Sequence, residues 1–415
     1  MINKNRGIAT IITIGDELLI GQTIDTNSAW MGVELNKAGF QIKRRVAVGD
    51  SWNDIWHALD TESADANIIL ITGGLGPTAD DITKPLLCQY FGGQLVVDQK
   101  AHDNVVEIFT KKLSRPLLER NLKQAEVPNN CMVIQNKRGT APGMVFEKDG
   151  KIFVSMPGVP HEMKGMMADD VIPMLINKFG SGKVIHKTLL TAGIGESFLA
   201  ETLTGFENNL PEQIKLAYLP SYGMVRLRLT TVHEEMETEI ENRFEDLKTL
   251  VSAYLVTDRD QTMQEAVAAS LLAHKKTLAI AESCTGGYIA HLITAIPGSS
   301  EYFLGGVVSY SNELKESFLG VPMDTIQTFG AVSTQTVEKM AEGLRQRTGA
   351  DYSLATSGIM GPSGGSDSKP VGFVCVGLST AEKTISTTLQ FRFDRMRNIE
   401  LTAIHALDFL RKNMG

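Results

Sequence analysis

Cysteine is scarce in this sequence, and long apolar runs are missing. The four cysteines, Cys88, Cys131, Cys284 and Cys375, lie far apart and form no Cys-x-x-Cys pair, which argues against a zinc site and against a disulfide framework. No apolar run approaches the roughly 18 residues of a membrane span. The first residues lead into a strand-like run without the apolar core of a signal peptide. We therefore expect a cytoplasmic protein with reduced thiols and no membrane partner.

Positive charge is not in excess either. The chain has 40 Lys and Arg against 48 Asp and Glu, a formal net charge of −8. Proteins that bind nucleic acid through its phosphates depend on clustered Lys and Arg. We therefore expect no nucleic-acid partner and predict small-molecule chemistry instead. At 415 residues, the chain is long enough for two or three domains.

Three segments of different pattern follow one another. Up to about residue 173, apolar runs alternate with amphipathic stretches, which is typical of a parallel α/β sheet. Residues 187–257 mix short strands and helices, with 11 Asp and Glu against 6 Lys and Arg. The α/β alternation returns after residue 262. We predict an α/β protein with two three-layer α/β/α domains, residues 1–173 and 259–415, joined by a small α+β domain at residues 174–258.

A glycine-rich loop, TGGLGPTADD at residues 72–81, follows the apolar run 67–71. Backbone N–H groups in such a loop and at a helix N-terminus bind phosphate, and neighbouring carboxylates bind a divalent cation. A second acidic pair, Asp16 and Glu17, follows the first strand. The metal ligands predicted here are Asp80, Asp81 and Glu17. The predicted phosphate and nucleotide contacts are Thr72, Gly73, Gly74, Gly76 and Asn27, with Asn121, Lys123 and Gln124 as further polar candidates.

The same acidic residues have a structural interpretation. Asp at the start of a helix often does no more than accept hydrogen bonds from the first backbone N–H groups. On the local pattern alone, metal binding and helix capping by Asp80 and Asp81 are equally good hypotheses. No Walker-type Gly-x-x-x-x-Gly-Lys-Ser/Thr motif occurs, so an ATPase is not indicated.

A second loop, AESCTGG at residues 281–287, lies between an apolar run and a helix-like stretch. Ser283 and Cys284 are alternative nucleophiles there. No histidine is placed convincingly as a base, but residues 310–315 (YSNELK) follow another strand and supply Tyr310 and Lys315. A lysine whose pKa is lowered by burial can deprotonate a serine. We predict a Ser283–Tyr310–Lys315 set, with Tyr310 as proton relay or oxyanion donor, and leave Cys284 open as the rival.

Substrate contacts are expected from the ends of neighbouring strands. A further glycine-rich loop follows the strand that ends near Ser357, and two arginines open the last helix, where guanidinium groups pair well with phosphate. The predicted contacts are Thr285, Gly286, Gly287, Ser357, Gly358, Gly361, Arg395 and Arg397.

Taken together, these motifs resemble the CinA family over essentially the whole chain. The N-terminal matches are GDELL at 15–19, the 72–81 loop, GTAPG at 139–143 and PGVPHEM at 157–163. The resemblance implies a MoaB/MogA-like domain that acts as a metal-dependent ADP-ribose pyrophosphatase, releasing AMP and ribose 5-phosphate. It also implies that the middle segment is a KH-like domain, whose acidity favours a connector or a dimer contact over RNA binding.

The C-terminal segment resembles the PncC-type amidohydrolases, which act on nicotinamide mononucleotide. The matches are the 281–287 and 310–315 motifs, PGSS at 297–300, GAVS at 330–333 and KPVG at 369–372. The resemblance places the catalytic set on Ser283, Tyr310 and Lys315 and implies no cofactor for this domain. One departure is Met360, where many relatives have a small residue, so substrate fit near that loop is in question.

We therefore predict a bifunctional enzyme of pyridine-nucleotide recycling and a homodimer. Two alternatives stay open. In one, the N-terminal domain binds a nucleotide or pterin without turnover. In the other, the chain is an interaction protein in competence or recombination, although the charge pattern does not favour direct DNA contact.

Overall fold

A computed structural model describes residues 7–78, 81–112, 116–180 and 184–414. The chain forms two compact units: Met1–Val184 with Val232–Glu234, and Ile185–Thr231 with Glu235–Gly415. Within the described ranges, no helix is long and apolar enough to cross a membrane.

The first unit is an α/β domain. Its strands are β1 (Ile8–Ile14), β2 (Gln41–Val48), β3 (Ile68–Thr72), β4 (Leu95–Val97), β5 (Glu126–Pro128), β6 (Met132–Ile134), β7 (Gly143–Lys148) and β8 (Lys151–Met156). Its helices are α1 (Asp16–Leu19), α2 (Thr26–Lys37), α3 (Trp52–Asp65), α4 (Thr83–Tyr90), α5 (Gln99–Glu107), α6 (Glu119–Leu122), α7 (Pro160–Met166) and α8 (Ile172–Phe179). The main sheet has the order β2-β1-β3-β8-β7-β6, and β4 pairs with β5 in a small separate ribbon.

Both faces of the main sheet are covered by helices. In β1, Ile11 belongs to a core that also contains Met31 of α2, whereas the adjacent Ile12 packs with Ile55 of α3. Successive side chains of a strand point to opposite faces, so β1 supplies both cores. The three-layer architecture predicted for this domain is confirmed. Helix α8 continues through residue 173, where the first domain boundary is predicted.

The sequence pattern predicts a parallel sheet, but one part of the main sheet is antiparallel. Strands β2, β1, β3 and β8 are parallel, but β7 runs antiparallel to β8. Asp149 and Gly150 form the turn between them, with φ of 52° and 74°. Positive φ at both turn residues is the geometry of a tight β-hairpin, for which Asp-Gly is a favoured sequence.

The second unit contains a small domain and a larger one. Its strands are β9 (Ile185–Ala192), β10 (Lys215–Ser221), β11 (Met224–Thr231), β12 (Leu255–Thr257), β13 (Leu278–Glu282), β14 (Phe303–Val308), β15 (Tyr352–Gly358), β16 (Phe373–Ser379) and β17 (Thr384–Gln390). Its helices are α9 (Glu196–Asn208), α10 (Glu237–Leu250), α11 (Met263–His274), α12 (Tyr288–Thr294), α13 (Asn312–Leu319), α14 (Met323–Phe329), α15 (Thr334–Thr348) and α16 (Arg395–Asn413).

The small domain is an antiparallel sheet, β10-β11-β9-β12, with two helices. Every second residue of β11 is buried. These residues share a core with Leu199 of α9 and Phe244 of α10. This alternation is typical of a sheet with one covered face, so the domain is α+β as predicted.

The larger domain has the strand order β14-β13-β15-β16-β17. Strand β13 is parallel to both β14 and β15. One core contains Ile280 with α11, α12 and α16, and the other contains Ala281 with α13 to α15, so this domain also has three layers. The carboxyl ends of β13, β14 and β15 meet at one sheet edge, where open α/β sheets bind ligands.

Candidate functional site

Ser283 is the first residue after β13 at this edge. All five residues of the strand are buried, and the Ser283 N–H donates to Thr356 O on β15 at 3.0 Å. The strand and its neighbour therefore fix the backbone of Ser283 before the chain turns into α12. The side chain is buried, with 8% of its residue surface exposed.

Lys315 approaches Ser283 from α13. Ser311 caps this helix by accepting a hydrogen bond from the Leu314 N–H. Side chains in a helix lean toward its N-terminus, so Lys315 extends back to the end of β14. Its Nζ lies 3.1 Å from Ser283 Oγ and 2.8 Å from Ser309 O. The structure thus brings together two of the three predicted catalytic residues.

The environment of Lys315 lowers the pKa of its amine. The side chain is almost fully buried, at 1% exposure, and burial lowers its pKa from the ordinary value, against weaker raising effects of Cys284 and Glu313. A neutral amine has two N–H donors, which Ser309 O and Tyr310 O can accept. Its lone pair is then available to Ser283 Oγ–H. This geometry is that of a base beside a nucleophile.

Cys284, the rival nucleophile, points into the core. It belongs to the same cluster as Ile280, Ile289 and Met360, and burial raises the pKa of its thiol to about 12. A thiol attacks as the thiolate, so a raised pKa works against this role. The geometry favours Ser283.

Glu282 is a residue of the site whose structural role the sequence did not reveal. Its buried carboxylate accepts hydrogen bonds from the N–H groups of Gly287, Ile289 and Ala290, at 3.0, 3.1 and 2.8 Å. A negative charge at a helix N-terminus is stabilised by the helix dipole. Glu282 therefore ties the nucleophile turn to α12. The hint in the sequence is an acidic residue at the last strand position before a glycine turn.

This contact changes the role expected of the glycines. The N–H of Gly287 is bonded to Glu282, and the N–H of Gly286 donates to Ser283 O at 3.2 Å. Neither amide is available to a substrate in this geometry. Among the described residues, the N–H groups of Cys284 and Thr285 donate to no backbone carbonyl, so these two are the candidate donors next to Ser283.

Tyr310, the third predicted catalytic residue, is exposed at the mouth of the site, with 61% of its surface accessible. Arg395 donates from Nη2 to Tyr310 Oη at 3.0 Å and from Nη1 to Gly361 O at 2.8 Å. Arg395 thus connects two predicted site residues. The Arg397 guanidinium stacks on the Phe393 ring at 4.2 Å, and among the described residues none accepts a hydrogen bond from it.

The remaining predicted contacts support the backbone of the site. Thr285 Oγ1 is hydrogen-bonded to Thr356 Oγ1 at 2.8 Å, and Ser357 Oγ donates to Ala331 O at 2.7 Å. Gly358 is the last residue of β15 and pairs with Val374. Met360, the departure noted in the sequence, is buried in the core rather than exposed to the site. Its extra volume is therefore accommodated by core packing.

The glycine loop of the first unit is shaped by two close contacts. Gly73 has φ of 116°, and a Cβ there would lie 2.2 Å from Ile14 O. A Cβ on Gly74 would lie 2.1 Å from Thr83 Oγ1. Only glycine fits both positions, so the loop lies flat against β1 and the start of α4. Thr72 Oγ1 donates to Pro157 O at 2.8 Å and links the loop to the segment after β8.

Asp81 organises this loop. Its carboxylate accepts hydrogen bonds from Gly76 N at 2.7 Å, from Thr78 N at 2.9 Å and from the Thr78 hydroxyl. Both oxygens are thus engaged within the loop. Glu17 is exposed, and Asp80 lies outside the described residues. In the part of the chain that the structure describes, no group of three His, Cys, Asp or Glu side chains is arranged to hold a metal.

Several buried polar groups lie around the loop. Asn27 donates from Nδ2 to Gly158 O at 2.7 Å, while its Oδ1 and Thr83 Oγ1 are buried without a hydrogen-bond partner among the described residues. Lys84 donates to Gln124 O at 2.9 Å, and burial lowers its pKa to about 8, opposed by Glu126 and Asp81. Unsatisfied buried polar atoms are costly and mark contacts that a ligand can complete.

Comparison with known families divides the chain into three matched regions. Residues 10–177 match the probable molybdopterin binding domain, residues 186–257 the damage-inducible protein CinA KH domain, and residues 260–414 the CinA C-terminal domain.

Relatives match the chain along nearly its whole length. A CinA-like protein of Cytophaga hutchinsonii is 41% identical over 409 residues, 98% of each chain. A CinA-like protein of Flavobacterium psychrophilum is 41% identical over 410 residues, again 98% of each chain. The solved structure of a competence or damage-inducible protein from Enterobacter asburiae is 35% identical, covers 36% of this chain and 94% of its own, and has a TM-score of 0.35.

Proposed function

This chain belongs to the CinA family, and from that premise we propose that its C-terminal domain deamidates nicotinamide mononucleotide to nicotinate mononucleotide and ammonia. The observation that carries the proposal is the contact of 3.1 Å between Lys315 Nζ and Ser283 Oγ. A buried lysine without a carboxylate partner among the described residues is suited to act as a base.

In the proposed reaction, Lys315 accepts the proton of Ser283 Oγ, and the oxygen attacks the carboxamide carbon. The N–H groups of Cys284 and Thr285, which donate to no backbone carbonyl among the described residues, stabilise the oxyanion that forms. The C–N bond then breaks, and ammonia leaves with the proton from Lys315. Water attacks the resulting ester on Ser283 while Lys315 accepts a proton from that water. The ester C–O bond then breaks, Lys315 returns the proton to Ser283 Oγ, and the acid is released.

The substrate phosphate would be bound at the start of α16. Arg397 is the better candidate of the two arginines, since Arg395 already donates to Tyr310 and Gly361. With Arg395 donating to Tyr310 Oη, the phenolic O–H is left to donate to the substrate or to relay a proton. No cofactor is needed for this reaction. The test is ammonia release from nicotinamide mononucleotide by the full chain and by its Ser283→Ala variant.

For the N-terminal domain we propose hydrolysis of ADP-ribose to AMP and ribose 5-phosphate with a divalent metal ion. The glycine loop and the unpartnered Asn27 Oδ1 and Thr83 Oγ1 support binding of a nucleotide diphosphate. A metal, when bound, would neutralise phosphate oxygens and lower the pKa of a water. The described residues do not by themselves form its ligand set, because both Asp81 oxygens are bonded within the loop.

Two measurements separate this proposal from its alternatives. AMP formed from ADP-ribose distinguishes an enzyme from a module that binds a nucleotide or pterin without turnover. Capture of a recombinase by the full chain would instead favour a role in competence.

We also propose that the protein is a cytoplasmic homodimer. All four cysteines are unpaired, as expected in a reducing compartment. Light scattering should give twice the chain mass of 45.3 kDa.

A further inference from the structure

A cavity of about 420 Å³ lies within the second unit, between the small domain and the larger one. The β10–β11 hairpin forms one wall, and helices α12 and α16 form the other. Its volume is within the range of small-molecule sites, about 300 to 1,000 Å³. None of the predicted catalytic or substrate-binding residues of the larger domain lines it, so the cavity is separate from the Ser283 site.

The walls are mainly apolar, with an aromatic ring on each side. Leu219 and Met224 come from the hairpin, and Leu292 comes from α12. Tyr222 lies at the turn of the hairpin, and Tyr288 is the first residue of α12. Tyr222 lines the cavity although 46% of its surface is exposed. Two tyrosines facing an apolar cavity provide surfaces against which a flat ring can stack.

The two charged residues that line the cavity differ in whether another residue balances their charge. Arg226 lines it, but its guanidinium is bonded to Asp260 at 2.7 Å and to Gln261 O at 3.1 Å. Glu400 lines it as well, and among the described residues it has neither an ion-pair partner nor a hydrogen-bond donor. The positive charge is therefore balanced and the negative one is not.

Glu400 also lies close to one of the aromatic rings. Burial raises the pKa of Tyr288, and the negative potential of Glu400 raises it further, with a smaller effect of Tyr222. Glu400, Tyr222 and Tyr288 all line the same cavity. An anion would be repelled from this wall, and a hydrated metal ion would find few oxygen ligands among apolar side chains.

We propose that this cavity binds a small aromatic organic cation, with its ring against Tyr222 and Tyr288 and its positive charge facing Glu400. Cations are attracted to the faces of aromatic rings, and this attraction strengthens when apolar walls exclude water. The half-buried carboxylate of Glu400 adds a direct charge contact. A neutral ring of the same shape gains the stacking, but neither the cation–π attraction nor the charge contact with Glu400.

The position of the cavity connects it to the nucleophile turn. Tyr288 directly follows Gly287, and its N–H donates to Thr285 O at 3.0 Å. An occupant of the cavity therefore contacts the helix that begins at this turn. Binding in the cavity is independent of the activity proposed for Ser283, so it can be measured whether or not the amidase assignment holds.

Two probes of matched shape test the proposal. N-Methylquinolinium is a flat aromatic cation, and quinoline is its nearly isosteric counterpart, neutral at neutral pH. Calorimetric titration of the full chain should show that the cation binds about tenfold more tightly than quinoline. Equal affinity for the two probes, or no binding of the cation, would overturn the proposal with the wild-type protein alone.

Substitutions of Glu400 and Tyr222 test whether these residues bind the probes. Glu400→Gln should reduce the preference for the cation while quinoline binds as before. Glu382→Gln, at an exposed turn outside the cavity lining, is the matched control and should leave the preference intact. Tyr222→Gly retains a backbone that tolerates the positive φ of 28° and should weaken binding of both probes. Retention of the full cation preference in Glu400→Gln would refute the assignment.

Discussion

Lys315 Nζ lies 3.1 Å from Ser283 Oγ, although the two residues are 32 positions apart in the chain. One follows β13 and the other lies in α13, and the parallel pairing of β13 with β14 brings these elements to the same sheet edge. The amine has lost its hydration and has no carboxylate partner among the described residues. A buried lysine whose pKa is lowered, next to a serine hydroxyl, is the central feature of the site.

Ammonia release from nicotinamide mononucleotide should depend on the protonation of Lys315. Burial lowers the pKa of Lys315, so the neutral amine forms at lower pH than for an exposed lysine. Activity should be lost as the pH falls below this lowered pKa, because the protonated amine cannot accept the Ser283 proton. The measurement is kcat/KM against pH, and Lys315→Arg, which stays protonated, should be inactive throughout. An active Lys315→Arg variant would contradict this role.

Cys284→Ala should leave ammonia release close to the wild-type rate. The thiol is packed in the core, and its pKa is raised by burial to about 12. Removing it should cost about 1 kcal/mol of stability through lost packing. Denaturant unfolding measures that loss, and steady-state kinetics measures the rate. Loss of turnover in a folded Cys284→Ala protein would restore the thiol as the nucleophile.

Glu282→Gln should destabilise the turn that carries Ser283. The carboxylate accepts three backbone hydrogen bonds at the start of α12. The Gln amide carries no charge, and only its oxygen can accept hydrogen bonds. We expect a loss of about 2 kcal/mol in the free energy of unfolding and a fall in kcat. Glu301→Gln, at an exposed carboxylate of the same domain, is the control and should change neither quantity. A stability unchanged by Glu282→Gln would show that the contact contributes little.

A chelator should separate the two proposed activities. EDTA is expected to stop AMP formation from ADP-ribose and to leave ammonia release unchanged, because only the first reaction is proposed to use a metal ion. Both products can be followed in one incubation with both substrates. Inhibition of ammonia release by EDTA would contradict the cofactor-free mechanism at Ser283.

Asp81→Ala should weaken ADP-ribose binding even when no metal is present. Asp81 holds the N–H groups of Gly76 and Thr78, so its loss releases the loop that faces the nucleotide. Calorimetry in EDTA should show reduced affinity, whereas Asp103→Ala, at an exposed aspartate of α5, should bind normally. Unchanged affinity of Asp81→Ala in EDTA would mean that the carboxylate serves metal binding alone.

Local patterns in the sequence were enough to predict the three-layer domains and the strand ends that carry Ser283 and Lys315. They were not enough for contacts between distant segments. The bond from Arg395 to Tyr310 joins residues 85 positions apart, and the capping role of Glu282 depends on how the chain turns after β13. The antiparallel β7 was missed although Asp149-Gly150 is a hairpin sequence, because the surrounding α/β alternation favoured a parallel sheet.

Ammonia release by Ser283→Ala is the most direct test of the account. The substitution removes one hydroxyl from a buried turn whose backbone is held by Thr356 and Glu282, so the variant should fold with a thermal midpoint close to that of the wild type. With nicotinamide mononucleotide as substrate, wild-type protein should release ammonia and folded Ser283→Ala should release none above the uncatalysed rate. Ammonia release by Ser283→Ala at the wild-type rate would contradict the mechanism.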